Sequence, residues 1–229
     1  MGILRIGHRG AKGYITENTF SSIKKAIQLD VDGVEIDVYK CLSGELVLSH
    51  DRNLKRMTGK SGVIENLTLK ELEDYLIDDE YKISTLNEIL EKISDPILIN
   101  IELKGSNTAS ATSEIIKEFI KKDKWNIKHF IVSSFNWIEL EKIRFIDKYI
   151  PLGVLVNQSI NINEAIEFGK KINAQAIHPN YNLLNKENIL KIKNNGFKVH
   201  VWTVNDESDI NNMKELNVDG IISDYPDRI

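Results

Sequence analysis

Leu29-Asp30-Val31-Asp32-Gly33-Val34-Glu35-Ile36-Asp37 is matched without a gap by Leu216-Asn217-Val218-Asp219-Gly220-Ile221-Ile222-Ser223-Asp224, close to the other end of the chain. A weaker third copy is Ile172-Asn173-Ala174-Gln175-Ala176-Ile177-His178-Pro179-Asn180. Each copy closes an amphipathic segment and opens a short apolar run, so one helix-to-strand turn is used three times. Repeated βα units require that reuse. The register also sets His178 at the position of Glu35, and Asn180 and Asp224 at the position of Asp37.

Outward from these copies the alternation continues. Strands are expected over Ile3 to Gly7, Gly33 to Tyr39, Ile97 to Lys104, Phe130 to Ser134, Leu152 to Val156, Ala174 to His178, Lys198 to Val204 and Gly220 to Ser223. Between them helices are expected over Phe20 to Gln28 (capped by Asn18 or Thr19), Leu86 to Ile93, Ser113 to Lys122, Trp137 to Lys148, Glu164 to Ile172, Lys186 to Asn195 and Glu207 to Leu216. Eight strands in 229 residues predict an α/β fold, a single TIM (β/α)8 barrel domain over residues 1–229. The chain ends five residues after Asp224, which leaves little room for an eighth outer helix.

A further strand, Glu45 to Ser49, follows the turn from Cys41 to Gly44. After it, residues of about 51–82 break the rhythm and form a small insertion. It holds the turn-rich Thr58-Gly59-Lys60-Ser61-Gly62 and a short helix over Leu67 to Glu73, opened by Thr68 with Glu71 three residues on. The Gly-Lys-Ser lacks the upstream glycine of a phosphate loop, so it is a turn.

In a closed barrel the site lies at the carboxyl ends of the strands, where His8, Glu35, Asp37, Glu102, His178 and Trp202 all fall. Side chains alternate along a strand, so Glu35 and Asp37 share one face and Val34, Ile36 and Val38 the other. Two carboxylates about 4 Å apart repel by roughly 4 kcal/mol at an effective dielectric near 20. A divalent cation would remove that repulsion. Glu102 and Lys104 end a second apolar strand in the same way, adding a third acid and a cation at the same level. His8 and His50, just past two strand ends, supply groups that titrate near neutral pH.

Composition narrows the partners. A net charge of −4 with 28% charged residues lacks the basic excess of a nucleic-acid binder. One cysteine, Cys41, permits no internal disulfide and reads as a small residue in a turn. No apolar run approaches the ~18 residues of a membrane helix, and the first strand begins at once without a signal-like region. A cytoplasmic enzyme without nucleic acid or transmembrane segment is expected; nothing specifies its oligomeric state.

Gly7-His8-Arg9-Gly10, Glu17-Asn18-Thr19, Glu35-Ile36-Asp37, Ser49-His50-Asp51, Ile101-Glu102-Leu103-Lys104, Val201-Trp202-Thr203-Val204-Asn205 and Ser223-Asp224-Tyr225-Pro226 together resemble the glycerophosphodiester phosphodiesterase family, in its order and across the chain. Thr16 departs from it, standing where the family commonly has proline. The resemblance implies metal-dependent hydrolysis of a glycerophosphodiester, a small molecule, to glycerol 3-phosphate and an alcohol. Glu35, Asp37 and Glu102 would hold one divalent ion, Mg²⁺ or Ca²⁺. His8 and His50 would be general acid and base, in an order left open. The resemblance leaves both routes open: direct attack by water, or attack by the glycerol hydroxyl first, through a cyclic phosphate.

Arg9 and Lys104 would neutralise phosphate, and Glu17 would orient Arg9 or a metal-bound water. Trp202 would form an apolar wall for the glycerol or the alcohol. His178 stays open between site wall and core. His200, one layer deeper than Trp202, and His129, at a strand start, are expected to be structural. The insertion resembles the one the family carries over its barrel mouth. The alternative is a lysophospholipase D-like or sphingomyelinase D-like enzyme on the same barrel; loss of turnover would require a missing acid or histidine, and none is missing.

Overall fold

Strands covered on both faces carry near-continuous apolar runs, and the chain alternates such runs with amphipathic helices. In the computed structural model, which describes residues 2–229, the order begins β1 (Leu4–His8), α1 (Phe20–Gln28), β2 (Gly33–Lys40), β3 (Leu46–Leu48), α2 (Lys55–Thr58), α3 (Leu69–Leu72), β4 (Leu76–Ile77), β5 (Tyr81–Lys82) and α4 (Leu86–Lys92). It continues β6 (Leu98–Leu103), α5 (Ala109–Lys121), β7 (Phe130–Ser134), α6 (Trp137–Ile146), β8 (Leu152–Val156), α7 (Ile162–Lys171), β9 (Ala176–Pro179), α8 (Lys186–Asn194), β10 (Lys198–Val201), α9 (Glu207–Glu215) and β11 (Gly220–Ser223).

Eight of these strands form a closed parallel barrel: β1, β2, β6, β7, β8, β9, β10 and β11 pair in turn, and β1 pairs with both β11 and β2. The expected TIM barrel is therefore present, with β3 added antiparallel on β2. Register sets the levels of the mouth: His8 lies opposite Glu35, and Asp37 opposite Glu102. After β11 the chain turns through a 3₁₀ helix, Pro226–Arg228.

Two apolar clusters hold the molecule. The larger joins barrel strands to the inner faces of the helices, with Ile36, Ile101, Val132, Val154 and Ile221 fully buried. The smaller lies under the insertion, where Val47, Leu54, Ile64 and Leu72 pack around Tyr39. The insertion thus has a core of its own, continuous with β2 and β3. Among the described residues no helix is long and apolar enough to cross a membrane.

Most boundaries fall within two residues of expectation, and two of the displaced helix ends have identifiable causes. Helix α5 starts at Ala109, four residues before Ser113. Its N-cap, Thr108, makes no capping bond of its own; the buried Glu139 of α6 accepts instead from the backbone N–H of Asn107, Thr108 and Ala109, each at 3.0 Å. Helix α6 stops at Ile146 rather than Lys148 because Asp147 Oδ1 accepts from the backbone of Tyr149 and Ile150, which turns the chain. Strand β10 ends at Val201, three residues short of Val204.

Candidate active site

The residues at the carboxyl ends of the strands converge on a pocket of about 90 Å³ lined by His8, Arg9, Glu35, His50, Asn100, Glu102, Lys104, Phe135, Leu155, Trp202, Thr203 and Ile222. An open groove of about 630 Å³ between α5 and α6 is larger but holds no comparable cluster of acids and imidazoles. Chemistry rather than size marks the site.

The loop after β1 is built for close approach. Arg9 and Gly10 both take left-handed conformations, φ 51° and 87°. A side chain at Gly10 would meet the Ser22 carbonyl carbon at 2.6 Å and the Ile23 nitrogen at 2.7 Å, so only glycine lets this loop lie on the start of α1. The bend aims the Arg9 backbone N–H at Glu35 Oε2, 3.0 Å away. Its guanidinium donates to Glu17 Oε1 at 2.8 Å and stands 3.3 Å from Asp37 Oδ2. Burial opposes the Arg9 charge, but Asp37, Glu17 and Glu35 outweigh it and hold the cation.

Asn18, expected as a possible helix cap, has another task. Thr19 caps α1 by accepting from Ser22 N, whereas Asn18 clamps Asp37: its Nδ2 donates to Oδ2 at 2.9 Å and its Oδ1 accepts from the Asp37 backbone at 3.1 Å. One oxygen from each of Glu35, Asp37 and Glu102 lies within 4.8 Å of the others. Burial, followed by the neighbouring acids, pushes the Glu35 carboxyl well above the usual range and Glu102 up to about 7. Glu35 Oε1 is buried without a hydrogen-bond partner. Lys104 Nζ donates to Glu102 Oε1 at 2.8 Å but reaches Asp37 only at 3.8 Å. Three clustered carboxylates set against Lys104 and an Arg9 guanidinium that is shared with Glu17 leave negative charge that a hard cation fits, and an all-oxygen donor set suits Mg²⁺ or Ca²⁺.

Each imidazole at the mouth is tied to a carboxylate. His8 Nδ1 lies 2.5 Å from Asp224 Oδ1, and His50 Nδ1 lies 2.7 Å from Asp51 Oδ1. A carboxylate only accepts, so both Nδ1 atoms carry hydrogen and both Nε2 lone pairs are free in the neutral rings. Burial lowers the pKa of each ring; the hydrogen bond to Asp224 opposes this at His8, and the charge of Asp37 opposes it at His50. Asn205 fixes Asp224 in turn, donating to Oδ2 at 3.0 Å and accepting from the Asp224 backbone at 2.9 Å. Sequence reading assigned Asp224, Asp51, Asn205 and Phe135 no task. For Asp224 a signal existed, since the internal repeat aligns it with Asp37.

Trp202 and Phe135 meet edge to face with ring centroids 5.3 Å apart, forming the apolar wall. His178 does not line the pocket: it is fully buried below it, and its carbonyl accepts from Trp202 Nε1 at 2.8 Å. Leu155 on β8, paired with His178, occupies the wall instead. The insertion closes over one side. Arg56 donates to Glu17 Oε1 at 2.7 Å and also binds Asp51, linking α2 to both β-strand loops. Thr16 Oγ1 donates to Asp78 Oδ2 at 2.7 Å, a bond that proline at this position could not make.

The sequence model of the Glycerophosphoryl diester phosphodiesterase family matches residues 8–228. The chain belongs to that family. Among its relatives, the glycerophosphodiester phosphodiesterase of Caldanaerobacter subterraneus subsp. tengcongensis is 31% identical over all of this chain and 97% of its own. The crystal structure of a glycerophosphodiester phosphodiesterase from Thermotoga maritima is 31% identical, covers 99% of this chain and 97% of its own, and superposes with a TM-score of 0.83. An Oleispira antarctica phosphodiesterase, solved with the product sn-glycerol-3-phosphate, is 30% identical over 98% of this chain and 94% of its own, with a TM-score of 0.87. As a family member the chain is a phosphoric diester hydrolase.

Proposed function

We propose that this enzyme hydrolyses small glycerophosphodiesters to glycerol 3-phosphate and an alcohol in the pocket at the barrel mouth, the barrel and its insertion acting as one domain. The observation that carries this reading is the convergence in one pocket of three carboxylates, two cations and two imidazoles, each imidazole held by its own acid. The product bound to the Oleispira antarctica relative supports the same substrate class.

Arg9 and Lys104 bind and orient the phosphoryl oxygens, Arg9 through its planar fork. Glu17 and Asp37 keep that fork fixed before substrate arrives. One of the two free Nε2 atoms takes the proton from the attacking hydroxyl, while the other imidazole, entering protonated, gives its proton to the leaving alkoxide. Asp224 and Asp51 stabilise the imidazolium at either stage. Attack by water completes the reaction in one step; attack by the glycerol 2-hydroxyl expels the alcohol first and leaves a cyclic phosphate that water opens, with the two imidazoles exchanging roles. Glu35, Asp37 and Glu102 would hold one Mg²⁺ or Ca²⁺, whose Lewis acidity offsets charge on the phosphoryl oxygens. Trp202 and Phe135 exclude water on the side of the organic groups, and His178 supports Trp202 from below.

The alternative, a lysophospholipase D-like or sphingomyelinase D-like reaction, uses the same groups on a substrate with an acyl chain. The 90 Å³ pocket, with a polar or charged lining except at Trp202, Phe135, Leu155 and Ile222, favours a compact glycerol headgroup. Metal-stripped protein incubated with glycerophosphocholine, glycerophosphoethanolamine or lysophosphatidylcholine, with and without Mg²⁺ or Ca²⁺, tests both. Metal-dependent release of glycerol 3-phosphate from the first two, abolished by His8→Ala, is expected. No release from either by folded protein overturns the proposal, and turnover of the third alone transfers it to the lysolipid reading.

A further inference from the structure

At the opposite, amino-terminal end of the barrel a second cavity of about 260 Å³ opens between the strand starts. Lys198 begins β10, Gln175 immediately precedes β9, and Lys128 lies in the 3₁₀ turn before β7. Leu98 and Ile131 supply apolar wall, and His200 forms part of the inner lining. No carboxylate is among the lining residues. Among the described residues neither lysine has an acidic partner; Asp219, the acid whose charge reaches His200, is itself engaged by the Val199 backbone and Lys193.

His200 makes this more than a pair of surface lysines. Its ring is 3% exposed, and neither Nδ1 nor Nε2 has a hydrogen-bond partner. A buried polar group left unpaired costs about 1–3 kcal/mol. The ring lies over Gly220, where a side chain would come within 3.0 Å of His200 Cδ2, and beside the His178 ring, with centroids 4.9 Å apart. Burial keeps the imidazole neutral, its pKa pulled down to about 4, so one nitrogen is a donor and the other an acceptor.

We propose that this cavity binds a small phosphate-bearing anion, the oxygens neutralised by Lys128 and Lys198 and held by Gln175 and His200. Two ammonium groups with no opposing acid match the charge of a phosphate monoester, about −1.5 to −2 at neutral pH, better than a carboxylate. The cavity does not share lining residues with the mouth pocket, and the proposal stands apart from the reaction assigned to that pocket.

Histidine-selective ¹⁵N labelling tests it without any assay of turnover. Inorganic phosphate and glycerol 3-phosphate are titrated separately at constant ionic strength, with acetate and chloride as controls, and the ring signals followed one by one. A saturable shift of His200 is expected, weakened about tenfold by Lys198→Gln or Lys128→Gln and further by the double variant. Shifts of His8 and His50 report the mouth and persist in those variants. Response to both ligands identifies a phosphomonoester site, and response to inorganic phosphate alone a site for the free ion. A His200 signal that stays still, that moves equally with acetate or chloride, or that is indifferent to both lysine variants overturns the proposal.

Discussion

Four of the five histidines belong to one barrel, and they form two pairs with opposite surroundings. His8 and His50 sit at the rim, each with Nδ1 on a carboxylate. His178 and His200 pack together inside, with no partner for any of their four ring nitrogens among the described residues. Burial lowers the pKa of all four; each rim ring has a hydrogen-bonded acid that pulls the other way, whereas His200 has only the charge of Asp219 and no hydrogen bond, and His178 has no opposing acid. A strand-end imidazole is therefore not a site by residue type or by depth. The carboxylate behind it decides whether it can cycle between charged and neutral forms.

The widest separation should come from exchanging one member of each pair for glutamine. His8→Gln is expected to reduce kcat by about 10²- to 10⁴-fold, the span of general acid–base catalysis, while His178→Gln keeps most of the activity. Equal losses from the two variants, with native circular dichroism in both, would break the distinction between the pairs.

Acid stability probes the inner pair. The folded pKa of His200, about 4, lies below its ordinary 6.5, so between those values the unfolded chain binds the extra proton. Stability therefore rises with pH across that window and is flat above it, and the full difference is about 3 kcal/mol. His200→Gln should flatten the fall of Tm between pH 6.5 and 4 relative to the unmutated protein. An unchanged slope would mean that the ring titrates normally and that its burial is incomplete.

Asp224→Asn sharpens the description of the outer pair. It removes a charge-assisted hydrogen bond worth about 1.5–3 kcal/mol, so a ten- to hundredfold loss of kcat is expected. A positioning role makes a second demand. The carboxylate favours the imidazolium, so the limb of the pH–rate profile governed by His8 should move to lower pH. A lower rate with an unmoved profile would reduce Asp224 to packing.

How much of this was legible beforehand depends on the range of each interaction. The turn repeated at Leu29–Asp37 and Leu216–Asp224 announced the barrel because it is local, and strand alternation placed Glu35 and Asp37 on one face for the same reason; Glu102 joins them through the pairing of β2 with β6. The partners of those residues come from far along the chain. Asp224 reaches His8 across 216 positions and Arg56 reaches Glu17 across 39, and no periodicity encodes such a pairing. Asn18 looked like one of two helix caps because its preference for such positions is general; that it clamps Asp37 follows only from how α1 docks beside β2. His178 stood at the Glu35 register in the repeat, yet β9 brings it to the level below the pocket, where the wall is formed by Leu155.

Glu139 carries the same lesson to a carboxylate and gives the smallest expected effect. Glu35 and Glu139 are both nearly inaccessible, but their carboxyls shift in opposite directions. Burial pushes Glu35 up, and clustered acids add to it. At Glu139 burial acts in the same sense but is outweighed by Lys142 and by the backbone N–H groups that open α5. A depressed folded pKa contributes stability that is present above the unfolded value, near 4.5, and is lost as pH falls through the folded one. Glu139→Gln removes the charge and keeps one acceptor, so about 1–2 kcal/mol of destabilisation is expected at pH 7, measured by urea denaturation with an unchanged m-value. The gap to the unmutated protein should close as the pH drops below 4.5. A gap that stays constant down to pH 3 would show that shape, not charge, makes Glu139 the cap of α5, and that the contrast drawn from the histidines does not extend to buried acids.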